Sequence, residues 1–356
     1  MSDDVSLFSD EERELIRSSV RRLLADKWPL LQAVEFCGKP DAVRKVWNSL
    51  GSLSLQDLGR EPSMGGLLEV FPVFEELGRA CCPAPLLGAL VANFLAAGAQ
   101  NGATPLREDG ITAVGFGPFD GDRAAGRVSL SQDSVSGAVH FVEGADIADR
   151  YVLFLAEPSG VAVVQSHVAG VSLESTPALS IPSLFSVRFE ESPAAFIPMP
   201  AEKLAGIAQV ARLASASRAL GSARRAYELV VEHAGTRKQF GKFIGQFQAV
   251  QHRLVDNLTR LDGAQLTLQA TARAHDDGLE TWRTFADLAL AHLNPGLRQL
   301  AIDMHQIMGA VGYSEEHELP RHFRQIHGNI ARFGGAFRAR AAVGAYLVAA
   351  SGKEPQ

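Results

Sequence analysis

Residues Arg237–Asp256 read RKQFGKFIGQFQAVQHRLVD. A basic turn carrying an aromatic residue and a glycine runs into a long amphipathic helix. Cationic side chains and exposed backbone amides at the start of a helix suit an anion, phosphate above all. The same residues would also serve as a charged connection between two helices of an all-α region, and alone they do not separate the two readings.

The flanking sequence is helical. Upstream, Leu220, Ala223, Tyr227, Val230 and Val231 form one apolar face of an alanine-rich helix that begins after Pro198 and Pro200. Downstream, Gln246 to His275 reads as a second helix, ended by Asp276-Asp277-Gly278. A third runs from about Glu280 into the glycines at 309 and 312, with Asn294-Pro295-Gly296 expected to kink or break it. A fourth is expected over His322–Ala350.

The amino-terminal third is helical as well. Ser9-Asp-Glu-Glu12 is a capping-box pattern, followed by apolar residues at helical spacing and then Pro29. Further helices are expected near Pro40–Leu50, over Leu67–Gly78 and over Leu86–Ala97. Between these regions the period changes. Short β-rich runs at Ile111–Phe116, Val128–Leu130, Ser134–Val142, Tyr151–Leu155, Val161–Val164 and Phe185–Phe189 are separated by Gly, Pro, Asp and Ser. They imply an antiparallel sheet or small barrel. The expected divisions are 1–107 helical, 108–198 β, and 199–356 a helical bundle.

Composition limits the function. With 356 residues, 46% hydrophobic and 21% charged, the chain can bury a substantial core. A net charge of −6 gives no general attraction to nucleic acid or anionic membrane, so any phosphate must meet a local basic site. Cys37, Cys81 and Cys82 fit neither a disulfide framework nor a zinc site, which favours a reduced cytoplasm. The acidic start, MSDDVSLFSDEERELI, lacks the pattern of a signal peptide, and Leu86–Ala97 is too short to span a membrane.

A second block, Gln306-Ile-Met-Gly309-Ala310-Val-Gly312-Tyr313, lies downstream of the basic turn. Together they resemble two signatures of the acyl-CoA dehydrogenases, R-x-x-F-G…I…F-Q-x-x-Q-H and Q-x-x-G-G-x-G-[FY]. FEELGRACCPAP, from Phe74 to Pro85, is similar to a third, packing element of that family. The resemblance implies a helical domain, a small β domain and a carboxy-terminal four-helix bundle. It also implies flavin adenine dinucleotide (FAD) shared across a subunit interface. Matched by position, Arg237 would hold the pyrophosphate and Phe240 and Gln248 would line the same part of the dinucleotide. Gln306 and Gly309 would form the second contact. Ala310 stands where a second glycine is usual.

The other half of the family's site is missing. Its T-E-P-x-x-G-S-D loop, which lines the flavin ring and thioester, corresponds to Gly115-Phe-Gly-Pro-Phe-Asp-Gly-Asp122, and a later tryptophan-containing turn corresponds to Phe141-Val-Glu-Gly-Ala145. Neither matches. The glutamate that removes the α-proton is expected at one of two places, and here these hold Phe333 and Ala211. No catalytic residue is therefore assigned. Glu315 and Glu316 follow the second block, in a charged connection, and Glu316 is the one substitute base considered. His305, His317, His322 and His327 lack metal-ligand spacing.

The resemblance thus implies a subunit of a heteromeric acyl-CoA dehydrogenase of the heterotetrameric, steroid-degrading type, with a homologous partner supplying the ring-side loops and the base. A self-sufficient enzyme using Glu316 and a catalytically inactive structural paralogue are the alternatives.

Overall fold

A computed structural model describes residues 8–29, 39–60, 65–99, 104–107, 109–121, 123–176 and 180–352. Cys37 and the first seven residues lie outside these segments. Helix α1, Asp10–Lys27, starts at the expected capping box: Ser9 Oγ accepts from the Glu12 amide, and the Glu12 carboxylate accepts from the Ser9 amide at 2.7 Å. Helices α2 (Pro40–Gly51), α3 (Leu67–Arg79) and α4 (Leu86–Gly98) follow where periodicity places them. One face of α1 carries arginines four residues apart, and each reaches a buried glutamate of α3: Arg13–Glu69 (2.9 Å), Arg17–Glu75 (3.0 Å) and Arg21–Glu76 (2.7 Å).

The β region is two four-stranded sheets rather than one. Strands β1 (Thr112–Gly115), β4 (Arg150–Leu155), β5 (Gly160–Gln165) and β8 (Ala195–Pro198) form the first, in the order β1-β4-β5-β8. Strands β2 (Gly126–Ser131), β3 (Ser134–Glu143), β7 (Leu184–Pro193) and β6 (Val171–Ser175) form the second, in the order β2-β3-β7-β6. Pairing is antiparallel except between β1 and β4, which run parallel with Ala113 opposite Tyr151. Strands β6 and β8 have no counterpart among the expected runs. Val135, Val139, Val187 and Phe189 of one sheet share a core with Leu153, Ala162 and Val164 of the other.

Helix α5, Ala201–Thr236, starts directly after Pro200 and runs for 36 residues, roughly 54 Å at 1.5 Å per residue. Every residue from Gly206 to Ala223 is buried, which only an alanine-, serine- and glycine-rich stretch can achieve against several neighbours at once. It crosses α3 at near backbone contact. A Cβ on Gly221 would lie 1.9 Å from the Glu75 carbonyl oxygen, and one on Gly78 would lie 1.9 Å from that of Arg218. Val231, placed on the apolar face by periodicity, is exposed instead.

Helix α6, Gln248–Asp276, and helix α7, Trp282–Met308, form an antiparallel pair joined by a short turn. Asp276 does more than end α6. Its carboxylate accepts from the Leu67 and Leu68 amides at 2.9 and 3.0 Å and caps α3. Helix α7 runs through Pro295 without the expected break. The ring removes one amide donor, while Leu293, Leu297 and Leu300 keep this stretch buried.

The helix expected over His322–Ala350 is instead two: α8, Leu319–Ile330, and α9, Gly335–Ala350. Between them Phe333 and Gly334 adopt positive φ values of 58° and 75°, which no helix accommodates. The amino-terminal and carboxy-terminal helices share one hydrophobic core, to which β1, β4 and β5 also contribute. Among the described residues no helix is long and apolar enough to cross a membrane.

His322 is fully buried on α8, with Nδ1 2.9 Å from Ser222 Oγ of α5 and 3.2 Å from Cys81 Sγ. Burial, reinforced by Arg225, Arg79 and Arg321, pushes its pKa down to about 3. The unfolded chain binds this proton near the ordinary 6.5, so between these values it holds one proton more than the folded chain, and acid destabilises the fold. The stability of the wild type should fall relative to His322→Gln by about 1.4 kcal/mol for each pH unit below roughly 6. Urea unfolding at pH 7.5, 6.0 and 5.0 measures this difference, and parallel pH profiles would contradict it.

Candidate functional site

The basic turn is a small β-hairpin. Strand β9, Lys238–Gln239, pairs with β10, Lys242–Phe243, and Phe240 and Gly241 form the turn with φ of 53° and 80°. Two positive φ values are what a type I′ turn requires, and glycine supplies the second without steric cost. The Ile244 amide closes the base of the hairpin on the Arg237 carbonyl at 2.9 Å.

Phe240 is 92% exposed and meets Phe247 edge-to-face, with ring centroids 6.2 Å apart. Lys238 lies over Phe243 and Lys242 over Phe247, at 4.7 and 4.3 Å. Arg237 is exposed at the carboxy-terminal end of α5, and its guanidinium makes no hydrogen bond or ion pair among the described residues. Gln248, the first residue of α6, is exposed too.

Gln306 lies on the last turn of α7, and Gly309 ends that helix with φ of 66°. Both are exposed. The antiparallel register brings the two sequence motifs to one end of the α6–α7 pair. Asn257 Nδ2 donates to Asp303 Oδ2 at 2.9 Å, and Gly263 packs beside His292. Extending this pairing to the start of α6 sets Gln248 level with the turn at Gly309–Tyr313. No heavy atom lies within 4 Å of where a Cβ on Gly241 or Gly309 would sit. Both motifs therefore present exposed side chains and glycines with open space around them, and Arg237 adds a guanidinium with no hydrogen bond or ion pair among the described residues. This fits a dinucleotide phosphate and its nucleoside arriving from outside the chain.

The ring-side positions converge as well, on a filled interior. The segment of Phe116 to Phe119, Arg212 beside Ala211, and Phe333 meet in one cluster. Ala211 is fully buried and Phe333 is 4% exposed. Next to them lies a charged group that sequence reasoning missed. Glu143, in the segment Phe141–Ala145, accepts two 2.7 Å hydrogen bonds from Arg218 and a 2.9 Å bond from Arg332. All three side chains are buried. Arg218 also donates to Asn329 Oδ1, and Arg332 to the Phe141 carbonyl.

Burial alone would raise the Glu143 pKa, but Arg218 and then Arg332 bring it below the ordinary carboxylate range. A lone arginine in the small-residue run LASASRALG was the available signal, since a helix buried on all sides cannot leave a guanidinium unpaired.

Glu315 is tied to Arg324, and Glu316 is exposed. His305 is buried, with Nδ1 2.9 Å from the Ala301 carbonyl, and packs on Tyr313 and Phe323. His317 Nδ1 accepts from the Leu319 amide, and His327 stacks on Phe323.

Helices, a two-sheet β region and helices again, in that order along the chain, make up a fold shared with solved acyl-CoA dehydrogenase structures. The chain superposes on a variant of the Tcur3481–Tcur3483 steroid ACAD with a TM-score of 0.84 at 22% identity, covering 96% of this chain and 99% of that one. It superposes on the ChsE4–ChsE5 complex from Mycobacterium tuberculosis with a TM-score of 0.82 at 19% identity, covering 99% of this chain and 100% of that one. Residues 205–335 match the family model "Acyl-CoA dehydrogenase, C-terminal domain". The acyl-CoA dehydrogenase IpdE2 of Mycolicibacterium smegmatis is 27% identical over 337 residues, 91% of this chain and 95% of that protein. Residues 205–335 thus correspond to an acyl-CoA dehydrogenase C-terminal domain, and similarity to acyl-CoA dehydrogenases extends over about nine-tenths of the chain.

Stability should separate the two surfaces. Arg237→Ala and Phe240→Ala should change the unfolding free energy by no more than about 0.5 kcal/mol, because both side chains are exposed. Glu143→Ala strands two buried guanidinium groups and should cost about 3–5 kcal/mol. Urea denaturation of the three variants provides the comparison, and a stable Glu143→Ala protein would argue against the buried ion group.

Proposed function

We propose that this chain is one subunit of a heteromeric FAD-dependent acyl-CoA dehydrogenase that oxidises the α,β bond of an acyl-CoA thioester. It supplies the pyrophosphate and adenosine half of a shared cofactor site. Arg237 binds pyrophosphate oxygens through its planar fork of donors, and Phe240 and Gln248 flank the same part of the dinucleotide. Gln306 and the open backbone at Gly309 accommodate the adenosine end. When bound, FAD supplies the hydride acceptor. The α-proton goes to a carboxylate of the partner.

The observation that carries this reading is the contrast between two sides of one chain. The motif surface is open and outward, while the positions of the base hold buried Ala211 and Phe333, neither of which can accept a proton. The partner is a homologous subunit, in an α2β2 assembly in the cytoplasm. A bulky, steroid-type acyl group is the favoured substrate, because the names of similar proteins include a steroid ACAD and a two-component complex.

Co-expression with a homologous dehydrogenase encoded beside this chain tests the proposal. The complex should hold one FAD per pair of chains and should dehydrogenate acyl-CoA, whereas the isolated chain should do neither. Arg237→Ala should weaken FAD binding by about 10- to 100-fold, the loss expected for charge-assisted hydrogen bonds to phosphate. Full flavin occupancy and turnover by the isolated chain would refute the divided site. A complex whose flavin content is indifferent to Arg237→Ala would favour a purely structural partner.

A further inference from the structure

The residues on this chain's own ring-facing side do not fit a flavin ring or an acyl chain. We infer that the chain closes this side with its own aromatic side chains and fastens it with two arginines. The inference rests on the divided-site reading for what would otherwise occupy the space, and on geometry for what fills it.

The filling is continuous. Phe333 enters from the break between α8 and α9 and meets Phe116 edge-to-face at 5.1 Å. Phe116 packs on Phe154 at 5.2 Å, and Phe119 packs on the same ring at 5.7 Å. The Phe333 ring lies near two guanidinium groups, Arg332 at 4.8 Å and Arg212 at 6.0 Å. Phe116 and Phe333 are each 4% exposed, so no slot for a flat ring remains between them.

The fastening comes from two different helices. Arg212 of α5 donates Nη2 to the Phe119 carbonyl and Nη1 to Gln209 Oε1, both at 2.6 Å. Arg338 of α9 donates to the Asp120 carbonyl at 3.0 Å. Carbonyls of the loop after β1 are thus held by charged donors from two separate helices. Buried or half-buried guanidinium groups exchange such partners for water only at substantial cost. The left-handed backbone at Phe333 aims the ring into the cluster, and the ion pair between Arg332 and Glu143 anchors the preceding residue to β3.

Hydrogen–deuterium exchange distinguishes a closed side from an open one. In the heteromeric complex, the peptide covering Gly115–Gly121 should exchange at the same rate with FAD bound or stripped, while Arg237–Gln248 slows when FAD is present. In the full chain alone, Arg338→Ala should speed exchange of Gly115–Gly121 at least 10-fold and leave Asp10–Lys27 unchanged, and Arg338→Lys should restore part of the protection. Phe333→Leu, a milder change than removal of the ring, should give a smaller acceleration in the same peptide.

FAD-dependent slowing of Gly115–Gly121 would overturn the closure, as would an Arg338→Ala chain with wild-type exchange there. If Gly115–Gly121 remains insensitive to FAD while Arg237–Gln248 also fails to respond, the half-site assignment fails and the closure stands.

Discussion

Glu143 with Arg218 and Arg332 is the interaction on which the arrangement of this chain depends. The acid ends a strand of one sheet, one base lies in the middle of the most buried helix, and the other precedes the break between the last two helices. Segments lying 75 and 189 residues beyond Glu143 are thereby fixed to it at one point. An ion pair sealed from water adds little net stability against an apolar substitute, but each member becomes indispensable once the others are present. The group therefore acts on position. It registers the β layers against the bundle and sets where Phe333 enters.

That registration gives the two faces of the chain opposite character. On one face the Arg237 guanidinium has no hydrogen bond or ion pair among the described residues, and Gly241 and Gly309 have open space around them. On the other, aromatic rings and arginines satisfy one another. A protein that works on a flavin and an acyl thioester by itself needs room on the second face. One that lends half a site to a neighbour needs only the first, and the interior released from catalysis can be packed like any core. Three phenylalanines with positive φ, Phe141, Phe240 and Phe333, lie at these transitions. Such a backbone is uncommon for a bulky residue and persists only where its surroundings hold it.

Much of the fold was legible because its signals are local. Capping at Ser9, the proline that opens α2, the one just before α5, and the glycine after Phe240 each act within a few residues. What escaped depends on distant pairing. The parallel match of β1 with β4 leaves no mark in either strand, and β6, mostly exposed, shows no inward and outward alternation. At Pro295 local chemistry predicts a kink or a break, and the helix stays unbroken where the surrounding leucines are buried. The split between α8 and α9 was hidden in an alanine-rich run, where Gly334 and Gly335 were the only sign. The two motifs at Arg237–Asp256 and Gln306–Tyr313 could be found because each is a contiguous run that resembles a family signature. The ion group and the aromatic filling could not, because their members share no sequence neighbourhood.

The crossing of α3 and α5 sets how this chain can move. Gly78 and Gly221 each leave space for a carbonyl of the opposite helix, so the backbones interlock in both directions. Sliding either helix by one residue would drive a side chain into that carbonyl. The amino-terminal helices and the bundle therefore form one stiff frame, without a hinge between them. Displacement of the basic hairpin must come from the hairpin itself or from rotation of the whole frame, and a neighbour that grips it would sense the chain as a single lever.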